Sequence, residues 1–217
     1  MQKIIAGLFL LILVSANDAD AQLLDTIRYS LHQKPRFFIT LASHNTFIDR
    51  QYANIGGLRM GLNYNQRIRF GIGFFGLANN AVVTKIHPEG TGDNFLTNGR
   101  LDFGFISLSS EYFFYNDYPW QCTFTPFNMG FGEGRYEYIN PADGALATTP
   151  KEFLILYQPE VSAQYSIFKW FGVGVTTGYR FTLYRSKHLT QNLNAPTFAV
   201  DVRIFVDEVY NALFKKD

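Results

Sequence analysis

The chain has 217 residues, of which 17% are charged and 17% aromatic, and its formal net charge is +1. That length suits one ordinary domain, and so balanced a charge excludes a nucleic-acid surface, which needs a basic excess to neutralise phosphates. A lone cysteine, Cys122, excludes an internal disulfide framework and a cysteine-based zinc site.

The N-terminus reads as an export signal. Lys3 supplies a positive start, Ile4 to Val14 form an almost unbroken apolar run, and Ala19-Asp20-Ala21 gives the small-x-small pattern of signal cleavage. The run is too short to cross a bilayer as a helix, which takes roughly 20 apolar residues. Residues 1–21 are therefore expected to be a cleaved signal peptide, with no lipoprotein anchor because no cysteine follows the cleavage point. In the next segment, 22–35, Leu23, Leu24, Ile27 and Leu31 share one helical stripe.

From 36 to 206 the rhythm changes to a period of two, the signature of strands with one apolar face. Residues 36–48 place Phe37, Ile39, Leu41 and Phe47 opposite Thr40, Ala42, His44 and Thr46. Leu58, Met60, Leu62 and Tyr64 alternate with Gly57, Arg59, Gly61 and Asn63. Ile68, Phe70, Ile72 and Phe74 alternate with Arg69, Gly71 and Gly73. In 101–115 the apolar phase slips between Phe105 and Ile106, and in 118–139 it slips around Pro126. A one-residue slip turns every following side chain to the other face, so a β-bulge is expected at each. Phe153, Ile155, Tyr157, Val161, Ala163 and Tyr165 then alternate with Gln158, Glu160, Ser162 and Gln164. Phe171, Val173, Val175, Tyr179 and Phe181 alternate with Gly172, Gly174, Thr176, Gly178 and Arg180. The last run sets Phe198, Val200, Val202, Ile204 and Val206 against Ala199, Asp201 and Arg203.

The count is eight, and an even count suits a membrane barrel. The non-apolar face is rich in Gly, Thr, Ser and Asn, which suits a crowded barrel interior better than a solvated sheet face. Apolar outside and polar inside is the transmembrane arrangement, and only a closed barrel leaves no strand edge unpaired in lipid. The predicted fold is thus all-β: an eight-stranded antiparallel transmembrane β-barrel over 36–206 with short flanking amphipathic helices.

Loop lengths add a direction. Connections at Asn65-Gln66, Asn116-Asp117 and Ile167 to Lys169 are tight, whereas 79–100, 140–151 and 185–196 are long and 49–54 is intermediate. Tight turns on one side and long loops on the other predict a periplasmic and an external end, with both chain termini periplasmic. Aromatic belts are expected from Tyr112, Phe114, Tyr118, Trp120, Trp170 and Phe171 near the turns, and from Tyr136, Tyr138 and Tyr184 near the loops. The tail, 207–217, repeats Val206, Val209, Tyr210, Leu213 and Phe214 at helical spacing, with acids first and lysines last as the helix dipole prefers.

The inward face carries Arg59, Arg69, Asp102, Glu160, Arg180, Asp201 and Arg203, expected to pair with one another as an interior charge network. No catalytic set is expected. Ser43 and His44 are adjacent on a strand and so point to opposite faces, and the other histidines, His32, His87 and His188, share no metal-ligand spacing. Neither a metal nor another cofactor is expected.

The strand Gly-Gly-Leu-Arg-Met-Gly-Leu-Asn-Tyr at 56–64, the strand Arg-Ile-Arg-Phe-Gly-Ile-Gly-Phe at 67–74 and the terminal strand Phe-Ala-Val-Asp-Val-Arg-Ile-Phe at 198–205 resemble the small eight-stranded outer-membrane barrels of Gram-negative bacteria, including bacteroidete-type members. The resemblance implies residence in the outer membrane, contact with its lipids, and insertion by the barrel-assembly machinery. The chain departs from that pattern by continuing past Phe205 to Asp217 rather than ending on an aromatic strand residue. The expected role is non-enzymatic: structural support, adhesion or partner binding through the external loops, chiefly 79–100. The alternative is a barrel that handles lipid or a small hydrophobic ligand, including a lipid A modifying enzyme.

Overall fold

The computed structural model describes residue 25, residues 27–78, 83–86, 97–140 and 144–206, and residue 209. The segment 1–21, expected to be a signal peptide, most of the loop 79–100 and nearly all of the tail 207–217 lie outside the described residues. Residues 27–31 are helical, in keeping with the stripe read there.

Among the described residues eleven strands follow in chain order: β1 (Arg36–Ile48), β2 (Gln51–Tyr64), β3 (Ile68–Leu77), β4 (Val83–Ile86), β5 (Thr97–Asp117), β6 (Trp120–Ile139), β7 (Leu146–Thr148), β8 (Glu152–Tyr157), β9 (Glu160–Phe168), β10 (Phe171–Arg185) and β11 (Ala195–Phe205). All their pairings are antiparallel. β1 pairs with both β2 and β11, and β5 with both β3 and β6, so the sheet closes on itself. Eight staves make the ring, because β8 and β9 form one stave between β6 and β10. The break between them falls at Gln158-Pro159, where proline has no N–H to give to the ladder; the register against β10 is unchanged across it. β4 and β7 are short additions to β5 and β6 at the loop end.

The turns differ from the sequence expectation in place and length. Asp49 and Arg50 close β1 onto β2 in two residues, both with positive φ, where an intermediate loop was expected. Asn65 and Gln66 also have positive φ, and with Arg67 they close β2 onto β3 in three residues. Two consecutive left-handed residues twist a hairpin in the sense its strands already twist, which is why the link can be so short. The tight turn after β5 is at Tyr118-Pro119 rather than Asn116-Asp117, since the strand runs two residues further.

Facing follows the predicted alternation over most of the wall. Leu41, Phe70, Ile72, Phe74, Val175 and Val200 point outward and are exposed, while Arg59, Arg69, Thr123 and Gln164 are buried inside. The bulge near Pro126 is present: Ser110 pairs with Phe127 but Tyr112 with Phe124, so β6 spends one extra residue there.

The slip at Phe105/Ile106 is not a bulge. β5 keeps perfect alternation through it, with Leu101, Phe103, Phe105, Ser107, Ser109, Glu111 and Phe113 all buried. What changes is the environment. Toward the turns the interior is polar and the exterior apolar; toward the loops Leu101, Phe103 and Phe105 fill the interior, and Asp102 and Arg135 face out. β5 and β6 have 21 and 20 residues, about twice the roughly 9–11 needed to cross a bilayer. Their loop-end halves therefore form a collar beyond the lipid, with the apolar-inside, charged-outside pattern of a water-soluble barrel. Ile106 and Phe131, paired across β5 and β6, are the last apolar outward pair before Glu133 and Arg135, and mark the boundary.

Candidate functional site

The turn-end half of the lumen is organised around Glu111 on β5. Its Oε2 accepts from Arg69 at 2.7 Å and its Oε1 from Arg59 at 3.3 Å, with Arg203 at 4.0 Å. Arg59 also reaches Glu160 at 3.4 Å, and Gln158 bridges onward, donating to Glu160 at 2.5 Å and accepting from Arg180 Nε at 3.0 Å. Arg203 donates to Thr40 at 3.2 Å and to Gln164, while Asp201 accepts from Thr176. The predicted residues Arg59, Arg69, Glu160, Arg180, Asp201 and Arg203 thus share one buried region. Glu111 was missing from the expectation although its signal was legible, as the inward partner in the Ser107, Ser109, Glu111 run opposite Ile106 and Leu108.

Asp102 does not belong to the network. It lies on the outer face of the collar and pairs with Arg135 at 3.0 Å, its side chain 44% exposed against 3% for Glu111. Placing a bulge at 105/106 had turned it inward; without the bulge, the alternation turns it out.

Glycines make room for these long side chains. A Cβ on Gly71 would sit 3.2 Å from Arg59, and one on Gly57 or Gly73 would collide with the Phe75 ring. Arg69, fully buried, has its guanidinium carbon 4.6 Å from the ring centroids of both Phe38 and Phe113, a cation–π sandwich that offsets part of its desolvation. Above the ions, His44 stacks on Phe75, Phe75 on Phe105, and Phe105 on Phe103, carrying the filling up into the collar.

The mouth is closed from above. The segment 186–194, expected as an external loop, folds inward so that Leu189 and Leu193 enter the apolar cluster with Ile48, Ile55, Leu101 and Leu154. Tyr136 and Tyr138, expected in an outer aromatic belt, belong to this interior instead: Tyr136 donates to Gln191 and accepts from the Thr190 amide at 3.2 Å. Tyr118, Trp120, Trp170 and Phe114 are exposed near the turns and Tyr184 near the loops, where belts were expected.

Among the described residues the interior gathers charged side chains around Glu111 and Glu160. His44 is buried, with Gln158 at 3.3 Å, while Ser43 faces outward on the other side of the wall. Among the described residues no three His, Cys, Asp or Glu side chains are grouped to hold a metal ion.

Comparison with solved structures decides the fold. Neisserial surface protein A, at 11% identity, superposes with a TM-score of 0.54 over 78% of this chain and 96% of its own. This is the fold of the small outer-membrane β-barrels. Ail of Yersinia pestis matches at 12% identity and a TM-score of 0.46, over 78% of this chain and 97% of its own. The N-terminal barrel domain of Pseudomonas aeruginosa OprF matches at 10% identity and a TM-score of 0.45, over 79% and 98%. No protein-family model matches the sequence. None of the curated proteins matches it.

Proposed function

We propose that this chain resides in the outer membrane, its turns in the periplasm and its collar outside, and acts without catalysis as a structural, adhesion or partner-binding protein through that collar and its loops. The observation that carries the reading is the collar. A barrel that only anchored itself would need strands just long enough to cross the lipid, whereas β5 and β6 continue well beyond the Ile106–Phe131 boundary. They carry outside it a charged outer face with Asp102, Glu133 and Arg135, joined by Lys151 from the segment leading into β8. The lumen beneath is filled by the ion network and sealed by Leu189 and Leu193, so it supports neither a pore nor a ligand path.

Under this reading residues 1–21 are a signal peptide, the barrel-assembly machinery inserts 36–206, and the 22–35 and 207–217 segments lie at the periplasmic face. Kinship with bacteroidete-type barrels rests on the strands at 56–64, 67–74 and 198–205. Trypsin added to intact cells tests the orientation: cleavage within 79–100 is expected, with Arg67 and Lys169 cut only after the outer membrane is opened. Cutting at Lys169 in intact cells would overturn it. The lipid-handling alternative is favoured by one observation, a groove in the outer wall.

A further inference from the structure

The outer wall is not uniformly apolar. On β1 the outward sequence runs Phe37, Ile39, Leu41, Ser43, Asn45, Phe47, so two polar side chains interrupt the lipid-facing band just below its aromatic end. Beside them on β2 stands Asn54. Asn54 Nδ2 donates to Ser43 Oγ at 2.8 Å and to Asn45 Oδ1 at 2.9 Å, and Tyr52 O–H donates to Asn45 Oδ1 at 2.5 Å. Two donors on one oxygen fix the Asn45 carboxamide: its acceptor is taken, and its Nδ2 makes no hydrogen bond among the described residues. In lipid, where no water completes the set, such a donor calls for an acceptor.

Asn45 also stands at one end of a groove of about 480 Å³ in the same outer wall. The groove floor is a ladder row of short side chains, Cys122, Ala163, Val175 and Val200, which pair in succession across β6, β9, β10 and β11 and continue to Ser43 on β1. Phe114, Val161 and Phe198 rise as its walls. Strands tilt in a barrel, so a ladder row climbs the wall obliquely. The Cys122 end lies beside the Tyr118-Pro119 turn, while the Asn45 end lies two residues below the Phe47–Tyr52 aromatic pair near the Asp49-Arg50 turn. The groove therefore runs from the external interface down into the hydrocarbon, with its uncharged polar cluster uppermost and an apolar trough below. That is the layout of an acylated lipid, with its carbonyl near the interface and its chain beneath.

We propose that this groove is a lipid-binding site for one acyl chain of lipid A in the external leaflet, whose acyl carbonyl accepts from Asn45 Nδ2. The choice of an external-leaflet lipid rests on the outer-membrane orientation proposed above. The shape favours lipid over a second copy of the chain. Two identical concave faces cannot fill each other, and a symmetric contact here would leave an apolar void between them.

The test uses the full chain, purified in detergent and analysed by native mass spectrometry with hexa-acylated lipid A added as probe. One lipid A is expected to remain on the wild-type barrel. Ala163→Phe, which raises the groove floor, is expected to reduce retention at least tenfold, and Asn45→Leu, which removes the donor and leaves the trough open, about fivefold. Ile72→Phe on another part of the outer wall is expected to change nothing. All variants are scored only in the fraction that keeps the folded barrel's gel mobility. Undiminished retention by folded Ala163→Phe and Asn45→Leu overturns the site, and so does a dimer mass that Ala163→Phe abolishes. If lipid A binds with this pattern but trypsin cuts Lys169 in intact cells, the site stands and the orientation fails.

Discussion

At the scale of single residues, Glu111 and Asp102 separate buried from exposed ionic chemistry. Glu111 serves Arg69, Arg59 and Arg203 from a position with almost no access to solvent. Glu111→Gln keeps the volume but leaves three guanidinium groups without their shared anion, a loss of roughly 3–5 kcal/mol for a broken buried pair. Asp102→Asn removes one partner of a half-exposed pair and is expected to cost about 1 kcal/mol or less. Urea unfolding in lipid vesicles measures both, and equal costs would sink the claim that Glu111 centres the network. Glycine positions give a second contrast. A Cβ on Gly61 would lie 1.9 Å from the Phe70 carbonyl oxygen, a backbone atom that cannot swing away, whereas on Gly76 the nearest atom is 3.8 Å off. Gly61→Ala is expected to stop β2 closing on β3, so that the heat-shifted gel band of a folded barrel disappears, while Gly76→Ala leaves the band in place.

At the scale of elements, a period of two was enough to read most of the staves, because inward and outward positions face such different media. It placed Arg59, Arg69, Glu160, Arg180, Asp201 and Arg203 inside, and it marked the bulge at Pro126. It misread β5 because a bulge and a change of medium leave the same trace in a sequence: in both, the apolar residues move from one parity to the other. Asp102 was lost to that ambiguity. The plug was illegible for a different reason, since Leu189, Gln191 and Leu193 alternate over too few residues to stand out from a polar loop. Its contribution can still be measured. Leu189 and Leu193 are almost wholly buried in the collar, and truncating each to alanine is expected to cost roughly 2–5 kcal/mol where the cavity cannot collapse. Because the ion network beneath is untouched, the double variant should keep a folded barrel but become open to protease between Ser186 and Asn194. A plug that stays resistant after both truncations would show that the Arg185 and Tyr136 bonds to it, not its leucines, hold it down.

At the scale of the whole molecule, the central claim is that one barrel lies in two solvents and that the change of phase on β5 marks the surface between them. An arginine scan along the outer wall tests it without touching the interior. Leu108 and Phe127 are outward, exposed and on the turn side of the Ile106–Phe131 pair, whereas Glu133 is outward on the loop side. A charged side chain facing lipid costs about 2–4 kcal/mol at the bilayer midplane and roughly 0–1 kcal/mol near the interface. Leu108→Arg and Phe127→Arg should therefore lower stability in lipid vesicles by amounts that grow with distance below the boundary, while Glu133→Arg stays within about 1 kcal/mol, the range of an exposed ion pair. In detergent micelles, which thin and deform around a charge, the difference should shrink. A uniform cost for all three would mean that lipid covers the collar as well. In that case Asp102 and Arg135 would face hydrocarbon, and an exterior so charged would leave the barrel without a stable position in the membrane.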